Sequence, residues 1–442
     1  MRIERWIILI LGIVLVRVWW KKCQRRLRRW WQRTKDQLPR HWQPKSSEDC
    51  PLCCAESVKV IEAVSEVEPS AVYGENKSQR GRKKTILTEG FACPDPDCPY
   101  YGIREASRHA LVGHGKLGEH KDIQHLKCQG CGGTFSSRKG TPLYYVKSEA
   151  GEVEEVLWWL AEGVDLSVLV RKTGHCERTL TRWLNRMGVH SARWHEVLFR
   201  DLSITLIQMD ELYANVRGVE YARWLWLAID PQSKALPALH LGLRRMDAAY
   251  TLVHKLKKCL HPDCVPAFTT DGLRSYFYAV TAHFGRWFRP PRARKDHWQV
   301  DERLLQGQLV KRHERRKLTY TITRMLWGNR QALNDLLENQ GFRRLIQTAY
   351  IERVNLTIRQ GVSLLTRRTW SLPQTEHHLL YHVEWWRCYY HFIRPHEALR
   401  ESILEGKRRY RPRTPAMALG ITDHVWTVGE ILHKPLVAGL PA

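Results

Sequence analysis

The sequence predicts a multi-domain α+β protein in which a metal-binding cysteine module and a three-helix segment precede a mixed five-stranded sheet flanked by helices. Three observations support this prediction. Four cysteines lie in two short-spaced pairs within residues 91–147, apolar side chains recur at helical spacing within residues 148–198, and residues 199–400 alternate strand and helix signals. At 442 residues, the chain is long enough for about three domains.

The composition indicates a polyanionic partner. The chain carries 71 Lys and Arg against 45 Asp and Glu, a formal net charge of +26, and its pI is near 9.8. Hydrophobic residues make up 43% of the chain, which is ample for packed cores. Because dense positive charge attracts phosphate, we expect the partner to be nucleic acid.

The N-terminal segment, residues 1–45, is apolar and then basic. Residues 6–16 form an unbroken apolar run, and a basic stretch follows from Lys21 to Arg29. A membrane-spanning helix needs about 20 apolar residues, which makes this run a marginal anchor at best. Two interpretations stay open: a membrane anchor with the rest of the chain in the cytoplasm, or a dispensable extension. Residues 46–90 are polar and weakly patterned, and we predict a linker there.

The cysteine module predicts a zinc ribbon over residues 91–147. Proline and glycine surround two cysteine loops, and these residues make turns tight enough for two thiolates of one loop to reach the same ion. Two such loops form a tetrahedral four-cysteine site for structural Zn²⁺. The predicted ligands are Cys93, Cys98, Cys128 and Cys131. A third group, Cys50-Pro-Leu-Cys53-Cys54, has no obvious partner pair.

The three-helix segment predicts a helix-turn-helix DNA-binding domain over residues 148–198. Gly163 and Gly174 end the first two helices, and the third begins at Glu177. The apolar positions of the third helix leave five polar residues on its outer face: Arg178, Thr179, Thr181, Arg182 and Arg186. Such a face suits a recognition helix, since Arg reads guanine edges and Arg or Thr contacts phosphate. The alternative is an ordinary three-helix packing element.

Residues 199–400 predict an RNase H-like core. The apolar runs at 202–209, 223–229 and 236–243 predict a three-stranded antiparallel meander. An amphipathic helix and a fourth strand follow, and this order of three strands, a helix and a strand begins an RNase H-like fold. Asp210 ends the first run, and Asp271 ends the fourth. A basic insert, residues 286–330, is either a DNA-binding groove or a solvated face. Residues 401–442 are predicted to be a C-terminal tail.

The carboxylates Asp210, Asp271 and Glu352 are the predicted catalytic residues and Mg²⁺ ligands. Two strand-end carboxylates and a third on a later helix can converge, and convergent oxygens suit a pair of Mg²⁺ ions. Two such ions stabilise the attacking and leaving oxygens of a phosphodiester displacement. Glu211 and Asp230 are the substitutes if one assignment is wrong. Asn355 and Arg359 share a helix face with Glu352, where they contact DNA or are plain surface residues.

Three short motifs resemble the acidic motifs of prokaryotic DDE transposases. They are Gln208-Met-Asp210-Glu211-Leu, Thr270-Asp271-Gly272-Leu and Ile351-Glu352-Arg353-Val-Asn355. The phrase Asn355-Leu-Thr-Ile-Arg359-Gln, followed by Leu365-Thr-Arg-Arg-Thr369, is similar to elements of the insertion-sequence-one type. The resemblance covers about residues 90–425.

This resemblance implies a nucleoid-associated cytoplasmic enzyme that binds the ends of a mobile element. It also implies cleavage and strand transfer of DNA with two Mg²⁺ ions, and a homo-oligomer on DNA. The alternative is a catalytically inactive, domesticated DNA-binding regulator. The intact acidic motifs favour metal chemistry, because clustering carboxylates without a cation is unfavourable.

Overall fold

The structure is a computed structural model. It describes residues 86–105, 107–118, 121–291, 295–315, 317–403 and 409–436. The apolar and basic segment, the third cysteine group and most of the predicted linker lie outside these residues, as does the question of a membrane anchor at the N-terminus. Within the described ranges, no helix is both long and apolar enough to cross a membrane.

The cysteine module is built on a small antiparallel sheet. In order across the sheet, its strands are β1 (Leu111–Leu117), β2 (Ile123–Cys128) and β3 (Thr134–Ser136). Leu126 on β2 and Phe135 on β3 are buried against Tyr100, which comes from the first cysteine loop. Because β2 ends at Cys128, the sheet fixes where the second cysteine loop begins.

Three helices follow the cysteine module. They are α1 (Ala150–Ala161), α2 (Leu166–Thr173) and α3 (Glu177–Leu198). The Asp165 carboxylate caps α2 by accepting a hydrogen bond from the Ser167 amide at 2.9 Å. Gly174 ends α2 with φ of 75°, a left-handed conformation that favours glycine. Helix α3 is long, and the residues predicted to read DNA, 178–186, occupy only its first half.

A six-stranded mixed sheet with helices on both faces forms the main body. Its first three strands are β4 (Leu206–Ala214), β5 (Arg223–Ile229) and β6 (Ala238–Gly242). Helix α4 (Met246–Cys259) leads to β7 (Ala267–Thr270), and α5 (Arg274–His283) follows it. A separate hairpin comes next, made of β8 (Gly285–Phe288) and β9 (His297–Val300). The sheet is completed by β10 (Gln306–Glu314) and β11 (Lys317–Trp327).

The strand order is β6-β5-β4-β7-β10-β11. The meander of β4, β5 and β6 is antiparallel, whereas β4, β7 and β10 run parallel to one another. The sequence-based expectation of a mixed sheet flanked by helices is thus confirmed, but the sheet has six strands rather than five. The sixth strand, β11, lies within the basic insert, which the sequence predicted to be a DNA-binding groove or a solvated face rather than part of the sheet.

The remaining helices cover the sheet and close the chain. They are α6 (Arg330–Asn339), α7 (Ala349–Gly361), α8 (Glu376–Phe392), α9 (Pro415–Ala418) and α10 (Val428–His433). Short strands β12 (Glu401–Ser402) and β13 (Tyr410–Arg411) pair between α8 and α9. Helix α8 is buried along most of its length, so its apolar surface needs cover on more than one side.

One hydrophobic cluster runs through the three-helix segment, the sheet and the C-terminal helices. It joins buried residues of α1, α3, β4, α8 and α10, represented by Val156, Trp183, Met209, Trp385 and Ile431. The described residues also belong to a single compact unit. The boundaries predicted at residues 198 and 400 therefore do not separate independent hydrophobic cores. The segment predicted as a tail contributes a packed helix, α10.

Candidate active site

The parallel pairing of β4 with β7 places Asp210 beside Asp271. In that pairing Met209 lies opposite Thr270, so the next residue on each strand is one of the two aspartates. Asp271 directly follows the last residue of β7, as the sequence predicts. Asp210 differs from the expectation because β4 continues past it to Ala214. The two carboxylates consequently share one edge of the sheet, at the point where β7 ends.

The third carboxylate in this cluster is Glu211. One oxygen from each of Asp210, Glu211 and Asp271 lies within 4.8 Å of the others, a spacing compatible with a metal ion. Glu352 does not belong to this group of three. Consecutive strand residues point to opposite faces, and Glu211 faces α5, where it is almost fully buried. Its Oε1 accepts a hydrogen bond from Arg244 Nε at 2.8 Å, and its Oε2 accepts one from the Tyr276 hydroxyl at 3.0 Å.

The cluster holds more negative charge than its surroundings neutralise. Burial, and then the charge of Glu211, raise the pKa of Asp210 to about 7. Burial also raises the pKa of Asp271, although the Leu273 amide and the cations Arg244 and Lys311 act in the opposite direction. The pKa of Glu211 is raised mainly by burial and by the charge of Asp271. A divalent cation bound here would remove the mutual repulsion.

Helix α7 presents Asn355 and Glu352 to the same edge of the sheet. Asn355 Nδ2 donates a hydrogen bond to Asp210 Oδ2 at 2.8 Å. Glu352 lies one turn earlier, where its Oε1 accepts a hydrogen bond from the Thr348 hydroxyl at 2.6 Å and forms an ion pair with Lys311 of β10. The negative charge of Glu352 contributes to the raised pKa of both aspartates, so its carboxylate lies close enough to repel theirs.

Lys311 and Arg244 are site residues that the sequence analysis did not single out. Each neutralises one glutamate at the edge of the sheet, Lys311 at Glu352 and Arg244 at Glu211. Neither has a distinctive sequence context, since both lie in basic stretches. Arg359, a predicted DNA contact, donates a hydrogen bond to the Leu365 carbonyl at 3.1 Å.

The four predicted zinc ligands converge. Their sulfur atoms all lie within 4.8 Å of one another, and none of the four cysteines is in a disulfide. Cys93 Sγ lies 3.7 Å from Cys131 Sγ, and Cys98 Sγ lies 3.7 Å from Cys128 Sγ. A tetrahedral ion with bonds of about 2.3 Å to sulfur separates its ligands by about 3.8 Å. The four-residue gap between Cys93 and Cys98 therefore still permits a metal-binding geometry.

The predicted recognition face of α3 is divided in the structure. Arg178 and Arg182 are exposed, and Thr179 and Thr181 are partly exposed. Arg186 is half-buried, and its guanidinium donates hydrogen bonds to the carbonyls of Pro142 and Tyr144 in the turn that precedes α1. Two of the five residues thus present exposed cationic groups, whereas the Arg186 guanidinium is hydrogen-bonded within the chain.

No protein-family model and no curated protein matches this chain. What the site can do is therefore inferred from its own side chains. A carboxylate cluster at a sheet edge can hold divalent cations, a four-thiolate cluster can hold a structural ion, and exposed arginines on α3 can bind an anionic surface.

Proposed function

We propose that this protein is a DNA transposase in which an RNase H-like core cleaves DNA and transfers strands. The observation that carries the proposal is the side-by-side placement of Asp210 and Asp271 on parallel strands, with α7 facing them through Asn355. An antiparallel meander, a helix and then a parallel strand support the RNase H-like assignment. The net charge of +26 supports nucleic acid as the substrate.

The carboxylates fit Mg²⁺, which prefers hard oxygen ligands. Asp210 and Asp271 would supply the first ligands, with Glu352 or Glu211 as the third. When bound, a pair of Mg²⁺ ions would stabilise the attacking and leaving oxygens of a phosphodiester displacement. The raised pKa of Asp210 supports this fit, because the unneutralised charge is what a divalent cation would compensate.

The neighbouring side chains hold these carboxylates in position. Asn355 orients Asp210 through its amide, and Arg244 with Tyr276 holds Glu211. Lys311 keeps Glu352 paired, so Glu352 would have to leave that ammonium group to serve as a metal ligand. Glu211 would likewise have to share its oxygens with Arg244. The third ligand is thus the glutamate whose ion pair breaks more easily, either Glu352 with Lys311 or Glu211 with Arg244.

The rest of the chain would deliver DNA to this edge. Zn²⁺ held by the four cysteines would stabilise the small module around β1, β2 and β3, as closed four-thiolate sites do. Arg178 and Arg182, exposed on α3, would contact the ends of the element. Both roles are compatible with the exposure and spacing of the residues concerned.

A second candidate is a DNA-binding regulator without catalytic activity. The two internal ion pairs favour it, because Lys311 and Arg244 already neutralise Glu352 and Glu211. In that case the cations would replace the metal, and the sheet edge would be structural. The zinc module and α3 would serve either function.

A cleavage assay distinguishes the two candidates. The full chain is incubated with labelled duplexes carrying the repeats that flank its gene, in Mg²⁺ or in Ca²⁺. We expect cleavage in Mg²⁺ that is lost in Asp210→Asn and Asp271→Asn, while binding in Ca²⁺ persists. Asp335→Asn, an exposed carboxylate on α6, is the matched control and should cleave normally.

The same assay assigns the third ligand through Glu352→Gln and Glu211→Gln. Loss of cleavage in Glu352→Gln alone makes Glu352 the ligand, and loss in Glu211→Gln alone makes it Glu211. Specific binding of the repeats by the wild-type chain without cleavage in Mg²⁺ or Mn²⁺ contradicts the transposase and supports the regulator.

A further inference from the structure

The hairpin of β10 and β11 extends past the edge of the sheet that carries the aspartates. On β10, Gln308 lies opposite Thr270, the last residue before Asp271. The strand then continues to Glu314, six residues farther, before the chain turns back at β11. At about 3.3 Å per residue, the tip projects roughly 20 Å beyond the carboxylate edge. Its neighbour β7 stops at that edge. Beyond the edge, β10 therefore pairs with β11 but with no described strand on the β7 side.

The tip is basic and carries exposed apolar side chains. From residue 311 to residue 324 the chain has six Lys or Arg and a single Glu. Tyr320 lies directly across from Arg312, and its exposed fraction is 51%; that of Leu318 is 54%. Within the described part of the chain, no ion pair neutralises Arg312, Arg315 or Lys317. Such a surface has charge and contact area to offer a polyanion, and these three cations have no ion-pair partner among the described residues.

The turn of the hairpin carries arginine where turn geometry favours other residues. Arg315 directly follows β10 at the start of the turn and has φ of 44°. Two-residue hairpin turns with positive φ favour Gly, which lacks Cβ, and Asn, whose short polar side chain tolerates the left-handed conformation; a longer side chain is strained there. The pairing also shifts between Arg312 and His313, a β-bulge that increases local twist and redirects side chains. An arginine thus occupies a turn position where its backbone conformation is strained.

The basic insert contains a second hairpin, but it is rooted elsewhere. Strands β8 and β9 join the end of α5 to the start of β10, which is the end of the sheet away from Asp271. Of the two hairpins in the insert, it is the one formed by β10 and β11 that emerges beside the carboxylates. Lys311, at its base, contacts Glu352 and so connects the hairpin to α7.

We infer that the tip of the β10–β11 hairpin is a DNA-binding arm that enters the major groove next to the position of cleavage. The inference rests on the proposed function, because the duplex it would hold is the one whose backbone reaches Asp210 and Asp271. A two-stranded ribbon fits the width of the major groove, about 12 Å. Arg312, Arg315 and Lys317 contact the phosphates that border the groove, and Tyr320 packs within it.

The inference is tested by the salt dependence of DNA binding. Binding of the full chain to a 40-base-pair duplex of arbitrary sequence is followed by fluorescence anisotropy in Ca²⁺, across a series of salt concentrations. Affinity falls as salt rises, and each phosphate contact makes the slope of log affinity against log salt concentration more negative by about 0.9. The variant Arg312→Gln/Arg315→Gln/Lys317→Gln should therefore reduce the magnitude of the slope by about 2 to 3.

A matched variant removes three charges from the opposite end of the sheet. Arg200, Lys258 and Arg303 are exposed residues near the starts of β4, β7 and β10. The variant Arg200→Gln/Lys258→Gln/Arg303→Gln should keep the wild-type slope. An equal fall in both variants, or no fall in either, overturns the hairpin as a specific arm but leaves the proposed function standing. A wild-type chain that does not bind the duplex overturns both.

Photo-crosslinking provides a second measurement that does not depend on affinity. A photoreactive phenylalanine analogue in place of Tyr320 should crosslink to the duplex, and the same analogue in place of Lys258 should not. Equal crosslinking at both positions, or crosslinking at Lys258 alone, contradicts the inference.

Discussion

Replacing Asp210 with Asn should stabilise the metal-free protein above neutral pH. The pKa of this carboxyl is about 7 against an ordinary value of 3.8, so its ionised form is disfavoured in the folded chain by about 3 pKa units. At about 1.4 kcal/mol per unit, ionisation costs the folded state about 4 kcal/mol.

The substitution also removes one hydrogen bond. Asp210 accepts from the Glu211 amide at 2.9 Å and from Asn355 Nδ2 at 2.8 Å, whereas an asparagine has a single acceptor oxygen. The lost bond costs about 1 kcal/mol, which leaves a net stabilisation of about 3 kcal/mol at pH 8.

The sign of the pH dependence follows from the raised pKa of Asp210. A carboxyl with a folded pKa of about 7 favours folding at acid pH, and that contribution is lost as pH rises from 3.8 through 7. The melting temperature of Asp210→Asn minus that of the wild type should therefore grow between pH 5 and pH 7 and level off above it. Mg²⁺ should raise the melting temperature of the wild type at pH 8 but not that of the variant.

Scanning fluorimetry in EDTA and in Mg²⁺ measures these differences. Asp230→Asn is the matched control, because the buried Asp230 carboxylate accepts hydrogen bonds from the amides of Gln232 at 3.0 Å and Ser233 at 3.1 Å and should only lose stability when changed. A fall in melting temperature for Asp210→Asn as large as that for Asp230→Asn refutes the electrostatic reasoning. An undiminished Mg²⁺ effect in Asp210→Asn refutes the metal assignment.

Three further outcomes are expected. Cys98→Ser should abolish binding of one Zn²⁺ per chain and expose residues 91–147 to limited proteolysis; wild-type protein without zinc in metal analysis rules the site out. Gly188→Ala should lower the free energy of unfolding, measured by chemical denaturation, by about 1–3 kcal/mol because overpacking is costly. The added Cβ would lie 2.3 Å from the Tyr381 carbonyl oxygen. The control Gly151→Ala places its Cβ in open space and should not destabilise the protein. Arg182→Ala should weaken binding to the element's repeat more than to random DNA, whereas an equal loss on both would make it a phosphate contact; Arg186→Ala should chiefly lower the melting temperature.

Local patterns in the sequence determined helices and strands and the two cysteine pairs. A continuous apolar run located β5, helical spacing located α1, and the residue after the fourth strand is Asp271, as expected. The cysteine pairs converge for the same reason, since proline and glycine turns bring each pair together over a few residues. Such features depend on interactions within short stretches, which a sequence pattern records directly.

The tertiary structure alone decided which glutamate lies nearest the aspartates, where the basic insert points and what covers α8. Glu211 joins the cluster because β4 continues past Asp210, and Glu352 is held by Lys311 of β10, a strand within the basic insert. The C-terminal segment packs as α10 on a core formed more than 200 residues earlier, through residues such as Ile431. These contacts arise from competition for burial and charge pairing among distant segments, and no local periodicity encodes the outcome.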